Sequence, residues 1–233
     1  LNEETAAQVR VRRFAVRAEL DAALAERLRS ALTDGASSAL MLAGGTTPGP
    51  AFGMLAEHPP PAAPGLYILY SDERYVPSTS NASNYHLSAP LLSALVLPAA
   101  QVLRVQTELP LETAAQTYEE RLQSLLGEKI PVRLGLLGLG ADGHTASLFK
   151  PADLAAARGR LAIPVQRPDG RTAVSVTPDW LARVEQILFV VAGSDKRAAL
   201  TRLAACDPSL IAYRAVERCM QVEVWADSEA WPP

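Results

Sequence analysis

The segment Gly138-Leu139-Gly140-Ala141-Asp142-Gly143-His144 sets an imidazole two residues after a carboxylate, inside a run of glycines. Histidine titrates near neutrality, so His144 can take a proton from water and return it within one turnover. Asp142 is close enough in sequence to orient the ring, although an offset of two does not by itself join the groups. Gly143 and its neighbours let the backbone approach a ligand closely. A lone loop histidine is commonly a surface or structural residue. His58, before a run of prolines, and His86, in an expected helix, fit that plainer role.

Three further segments carry residues suited to an anion. Gly44-Gly45-Thr46-Thr47-Pro48 combines glycines, two hydroxyls and a proline placed to open a helix. It is either a plain strand-to-helix turn or a cradle for phosphate at a helix N-terminus. It lacks the terminal lysine of a Walker loop and the GxGxxG spacing of a dinucleotide loop. Ser71-Asp72-Glu73-Arg74-Tyr75-Val76-Pro77 is followed by Ser83-Asn84. Asp72 and Arg74 either pair on a solvated loop, or Arg74 offers its planar fork to a phosphate. Gly193-Ser194-Asp195-Lys196-Arg197 places a lysine where a helix is expected to begin, against the macrodipole. Solvation or a substrate phosphate accounts for Lys196 there.

The elements that must position these residues read as α/β. Short apolar runs at 38–43, 66–70, 132–137 and 186–192 each end in small or turn-forming residues, as parallel strands covered on both faces should. Further strands are expected at 220–225 and 172–177. Helices are expected at 18–32, where Leu20, Leu24, Leu28 and Leu32 share a face, at 111–126, and at 194–205. Such alternation predicts a mostly parallel sheet in a single α/β domain spanning 1–233. In an open parallel sheet, ligands bind outside the carboxyl ends of the strands. All four chemistry-bearing segments follow strands.

Composition narrows the classes of function. The formal net charge is −3, which provides no general field for nucleic acid or an anionic membrane. No apolar run approaches the ~18 residues of a membrane span. The start, Leu1-Asn2-Glu3-Glu4, is polar and acidic, wrong for a secretory signal, and a leading Leu suggests that the numbered chain is not the complete gene product. Cys206 and Cys219 lack CxxC spacing and read as reduced thiols rather than a disulfide. There is no HExxH, no His-x-x-x-His and no cysteine or aspartate array, so no metal and no cofactor is expected. There is also no GxSxG elbow. An ester hydrolase of this kind must activate water directly.

Taken together, 44–48, 72–77 with 83–84, 138–149, and Gly193 with Lys196 resemble the 6-phosphogluconolactonase family, which shares a larger group with glucosamine-6-phosphate deaminases. The segments occur in family order and cover nearly the whole chain. The resemblance implies a three-layer, Rossmann-like α/β fold with helices on both faces of the sheet. It implies hydrolysis of 6-phosphogluconolactone in the oxidative pentose phosphate pathway, in the cytoplasm, without a cofactor. The implied partner is a phosphorylated sugar lactone, with no nucleic acid or membrane, and the chain is a monomer or small homo-oligomer. His144 resembles the general base, with Asp142 and Asp72 as neighbours that set geometry and charge. Arg74, Lys196, Gly44, Gly45, Thr46, Thr47, Ser83, Asn84 and Gly143 resemble the substrate and phosphate contacts. Backbone N–H groups of the 138–143 turn are one candidate for the oxyanion donors. Lys150 stands where the family usually has proline, which bears on the shape of the next loop. The deaminases carry an Asn-Glu pair after the shared Asp-Gly-His core; here Ser147-Leu148-Phe149-Lys150 has no carboxylate.

Overall fold

The apolar runs resolve into strands that stack side by side. The computed structural model describes residues 8–35 and 37–232. Among them β1 (Val9–Phe14), β2 (Ser38–Leu42), β3 (Leu66–Tyr70), β4 (Asp72–Arg74), β5 (Val102–Leu103), β6 (Val132–Leu137), β7 (Ala162–Gln166), β8 (Thr172–Val176), β9 (Ile187–Val191) and β10 (Val222–Asp227) fall into two sheets. The larger is parallel, in the order β1-β10-β9-β6-β2-β3-β5, and the smaller is antiparallel, in the order β4-β8-β7.

The central strands are mostly apolar because both faces are covered. On one face lie α1 (Arg17–Thr33), α2 (Gly49–Glu57) and α3 (Asn84–Leu95). They pack against Leu40, Leu42, Ile68, Leu134, Leu136 and Leu188. Leu20, Leu24, Leu28 and Leu32 of α1 are completely buried there, each worth about 2 kcal/mol of transfer free energy. The alternate strand residues, such as Met41, Leu69, Phe189 and Val191, face the other way. There they meet α4 (Leu111–Gly127), α7 (Arg197–Ala204), α8 (Ile211–Val216) and the small sheet. The short helices α5 (Pro151–Ala156) and α6 (Pro178–Leu181) complete the set. The result is the expected three-layer, Rossmann-like architecture.

Strand order decides where a ligand can sit. From β2 the chain moves outward to β3 and β5, then returns to β6 on the other side of β2 and continues to β9 and β10. The connections leaving β2 and β6 therefore part in opposite directions, opening a crevice at their carboxyl ends. At the end of β3 the Tyr118 hydroxyl donates to the Tyr70 carbonyl (2.6 Å) and accepts from the Tyr70 N–H (3.0 Å). The ladder to β5 stops one residue earlier, so a buried side chain supplies what the next strand does not. The chain is then free to leave the large sheet and enter β4.

The sequence-derived elements differ from the structure at definite places. Segment 172–177 forms a strand, β8, but in the small antiparallel sheet. Segment 194–205 splits into a 3₁₀ turn, Ser194–Lys196, and α7. Pro48 caps α2 rather than opening it, and Pro50 occupies the first turn. β1, β4, β5 and β7 were not anticipated. β1 alternates valine with arginine at a sheet edge, and β4 is a three-residue polar strand. The acidic start, Leu1-Asn2-Glu3-Glu4, lies outside the described residues. No helix among the described residues is long and apolar enough to cross a membrane. Burial pushes the Cys219 thiol up to about 12, as suits a packed, unreactive side chain.

Candidate active site

The four segments singled out in the sequence converge on one cavity of about 400 Å³ at the switch point. The turn after β2 supplies residues 44–47, the turn after β6 supplies Gly138, Gly140 and His144, and the turn after β9 supplies Asp195 and Lys196. From β4 come Asp72 and Arg74, and from the start of α3 comes Asn84.

The His144 turn is closed by several hydrogen bonds of its own. The Gly140 N–H donates to the His144 carbonyl (2.9 Å), and the Gly143 N–H donates to the Gly140 carbonyl (3.0 Å). Thr145 Oγ1 donates to the Gly138 carbonyl (2.9 Å), while the Ala212 N–H, from α8, donates to the Gly143 carbonyl (2.9 Å). The imidazole lies across Gly140, where a Cβ would strike both His144 Nδ1 and Asp142 Oδ1. Asp142 Oδ1 is 2.5 Å from His144 Nδ1 and also accepts the His144 N–H (3.2 Å). With Nδ1–H directed at Asp142, the Nε2 lone pair is the one available to a ligand. Partial burial tends to raise the Asp142 carboxyl, but the hydrogen bonds and charge of His144 together hold it below the ordinary carboxylate value. Phe149 packs against the imidazole in a tilted arrangement, with 4.3 Å between ring centroids.

The Arg74 side is built from side chains. Arg74 Nη1 donates to Asn84 Oδ1 (2.5 Å) and to the Ala82 carbonyl (3.1 Å), which leaves the rest of the guanidinium to the cavity. Asn84 Nδ2 donates to the Asp72 carbonyl (2.7 Å), and the Asn84 side chain fills the space that a Cβ on Gly44 would need. Glu73 is buried beneath them. Its carboxylate accepts the N–H groups of Asn84 (2.7 Å) and Tyr85 (2.8 Å) and the Ser83 hydroxyl (3.2 Å), capping α3. Burial raises the Glu73 carboxyl, with those donors working against it. On the far side, Asp227 accepts the Gly193 N–H at 3.2 Å and so steadies the turn that carries Lys196. Lys196 Nζ pairs with Asp195 at 3.1 Å.

Some expected contacts are placed elsewhere. Asp72 lines the cavity but is not hydrogen-bonded to His144; its carboxylate takes the hydroxyls of Ser147 (2.7 Å) and Ser71 (3.0 Å). The carboxylate that holds His144 is Asp142, which lies behind the ring rather than in the cavity wall. Ser83 and Gly143 do not line the cavity either: Ser83 caps α3, and Gly143 anchors the turn to α8. Where proline was expected, Lys150 is extended, and the Asp153 carboxylate holds the loop by accepting the N–H groups of Phe149 (2.8 Å) and Lys150 (3.0 Å). His58 and His86 do not line the cavity.

Two cations in the cavity wall were missed, Arg17 and Arg167. Arg17 opens α1 and donates from Nη2 to the Thr47 carbonyl (2.7 Å), bracing the turn after β2. Its signal was the one that marked Lys196, a cation in a helix's first turn. Arg167 stands at the turn Arg167-Pro168-Asp169-Gly170-Arg171 between β7 and β8. An Asp-Gly between two short alternating runs was the available hairpin signal. With Arg74 and Lys196 the cavity holds four cationic side chains against two carboxylates, Asp72 and Asp195.

Comparison with known proteins agrees with this geometry. Residues 12–225 match the family described as glucosamine-6-phosphate isomerases/6-phosphogluconolactonase. The chain belongs to that family. It is 35% identical over 205 residues to the human 6-phosphogluconolactonase, covering 82% of this chain and 79% of the relative. It is 34% identical over 178 residues to that of Thermotoga maritima, covering 75% and 77%. The crystal structure of the Thermotoga maritima enzyme superposes with a TM-score of 0.79 over 94% of this chain and 99% of that one, at 28% identity. A monomeric glucosamine-6-phosphate deaminase has the same fold, with a TM-score of 0.76 at 18% identity over 95% and 98% of the chains.

Proposed function

We propose that this family member hydrolyses 6-phosphoglucono-1,5-lactone to 6-phosphogluconate, a step of the oxidative pentose phosphate pathway, in the cytoplasm. The observation that carries the reading is the cavity's composition. An imidazole with its Nε2 lone pair available faces a pocket of four cations, in a chain whose net charge is −3. Local positive charge of this kind selects an anionic substrate. The turn at 44–47 leads into α2, whose N-terminal N–H groups favour phosphate. Arg74 and Lys196 supply charge-assisted hydrogen bonds to the same group.

In this mechanism His144 Nε2 takes a proton from water as its oxygen bonds to the lactone carbonyl carbon. The carbonyl electrons move onto oxygen. When they return, the bond between carbon and ring oxygen breaks, and the imidazolium gives its proton to that ring oxygen. Asp142 keeps the ring in the right tautomer and stabilises its cation. The relatives named above support the substrate.

The test is turnover of freshly prepared 6-phosphogluconolactone, followed by proton release and corrected for spontaneous hydrolysis. Turnover far above the blank is expected. Ammonia release from glucosamine 6-phosphate without lactone turnover, or tight binding of the lactone without turnover, would overturn the proposal.

A further inference from the structure

We infer that Arg167 is a catalytic residue at the reacting end of the cavity, where its guanidinium receives the negative charge that develops on the lactone carbonyl oxygen. The inference rests on the lactonase reading above and names a group that reading leaves open.

The first argument concerns donors. Attack on the carbonyl needs hydrogen-bond donors aimed at the incipient alkoxide, and backbone N–H groups beside the base are the usual source. Here the Gly140 and Gly143 N–H groups close the turn, and the His144 N–H is held by Asp142. Three of the turn's backbone donors are thus spent on its own rigidity. Arg74 has given Nη1 to Asn84 and Ala82.

The second argument is position. Arg167 Cζ lies 5.1 Å from the centre of the Phe149 ring, and the His144 ring packs, tilted, against that same phenyl at 4.3 Å. One aromatic side chain therefore sets base and cation in relation to each other. Arg167 Nη1 also reaches Ser147 Oγ at 3.3 Å, and Ser147 donates to Asp72 at 2.7 Å. Asp169, at 3.4 Å from Nε, is the ion-pair partner. Both polar contacts are long, and Nη2 has no hydrogen bond among the described residues. The side chain is only 16% exposed, yet it forms part of the cavity wall. A guanidinium that rests over an aromatic ring and is only loosely hydrogen-bonded can tighten onto a charge that appears in the transition state.

The step balances without another participant. Water loses a proton to His144 Nε2, its oxygen bonds to carbon, and the carbonyl pair becomes an alkoxide facing Arg167. The alkoxide then reforms the carbonyl and expels the ring oxygen, which takes the proton from His144. Arg167 transfers nothing and stays charged.

The experiment measures kcat and KM of wild type, Arg167→Gln and Arg167→Lys on 6-phosphogluconolactone and on unphosphorylated glucono-1,5-lactone, with thermal melting of each protein. Arg167→Gln should lose about 10²–10³-fold in kcat on both lactones in parallel, with little change in KM, as expected for a donor that acts mainly in the transition state. Arg167→Lys should recover part of the loss at an unchanged melting temperature. Loss confined to the phosphorylated lactone would make Arg167 a phosphate contact and overturn the inference. So would a retained kcat. A wild type inactive on both lactones would instead overturn the lactonase reading.

Discussion

The two sheets meet at one cavity and equip it by different means. The large parallel sheet contributes the strand-end turns: that of His144 is closed mainly by main-chain hydrogen bonds, while Arg17 braces the 44–47 turn and Asp227 the turn that carries Lys196. The small antiparallel sheet contributes Asp72, Arg74 and Arg167, which are placed by other side chains: Asn84, Ser147 and Phe149. Backbone placement resists displacement but uses up N–H groups. Side-chain placement leaves donors open and depends on every supporting residue. On the proposed reading, proton transfer belongs to the first kind of construction and charge recognition largely to the second.

Mutations can break that comparison. The largest effect should come from His144→Ala, with kcat falling about 10²–10⁴-fold in the proton-release assay while KM changes little. A variant that keeps most of its kcat would remove His144 from the chemistry. Gly140→Ala leaves the imidazole intact but forces it and Asp142 aside. A displacement near 1 Å is worth roughly 10²-fold in kcat, again at nearly constant KM. Asn84→Ala probes the side-chain construction by releasing Arg74 and Asp72 together. It should cost about tenfold in kcat/KM, the loss of roughly one charged hydrogen bond, mostly through KM. A fall in kcat instead would mean that Asn84 serves the reacting end.

The smallest effect concerns acid stability. Asp142 is held below its ordinary value, near 3.9. Its contribution to stability is therefore present above that value and lost as pH falls through the lower folded value. Thermal melting of wild type and Asp142→Asn should differ near neutrality, begin to converge below about pH 4, and meet once the pH is below the lower folded value. A gap that persists into stronger acid would mean that Asp142 stabilises the fold by some route other than its charge.

The same contrast explains what was legible in the sequence. The central strands could be read because burial on both faces demands unbroken apolar runs, and Leu40, Leu42, Leu134 and Leu188 obey. The strand-end turns could be picked out because glycine, histidine and lysine there have few structural excuses, and the fold brings them to one cavity. The small sheet was largely hidden. β4 is three polar residues, and its pairing with β8 joins positions about a hundred residues apart, beyond any periodic signal. Arg167 was hidden with it, since its role depends on a hairpin that no local pattern ties to His144. The resemblance gave Asp142 and Asp72 alike as neighbours of the base. Only the fold separates them, sending one to the imidazole and the other to Ser147.

The central claim is that a clamp at one end of the cavity reads phosphate while His144 works at the other. It is tested most directly by the ratio of kcat/KM for phosphorylated over unphosphorylated lactone, in wild type, Arg74→Ala and Lys196→Ala. Each clamp variant should lose roughly 10- to 150-fold on the phosphorylated lactone, the worth of one charge-assisted hydrogen bond. Neither should change much on the unphosphorylated one, so the ratio should collapse toward unity. A wild type that uses both lactones equally well, or variants that lose both activities in parallel, would contradict the account.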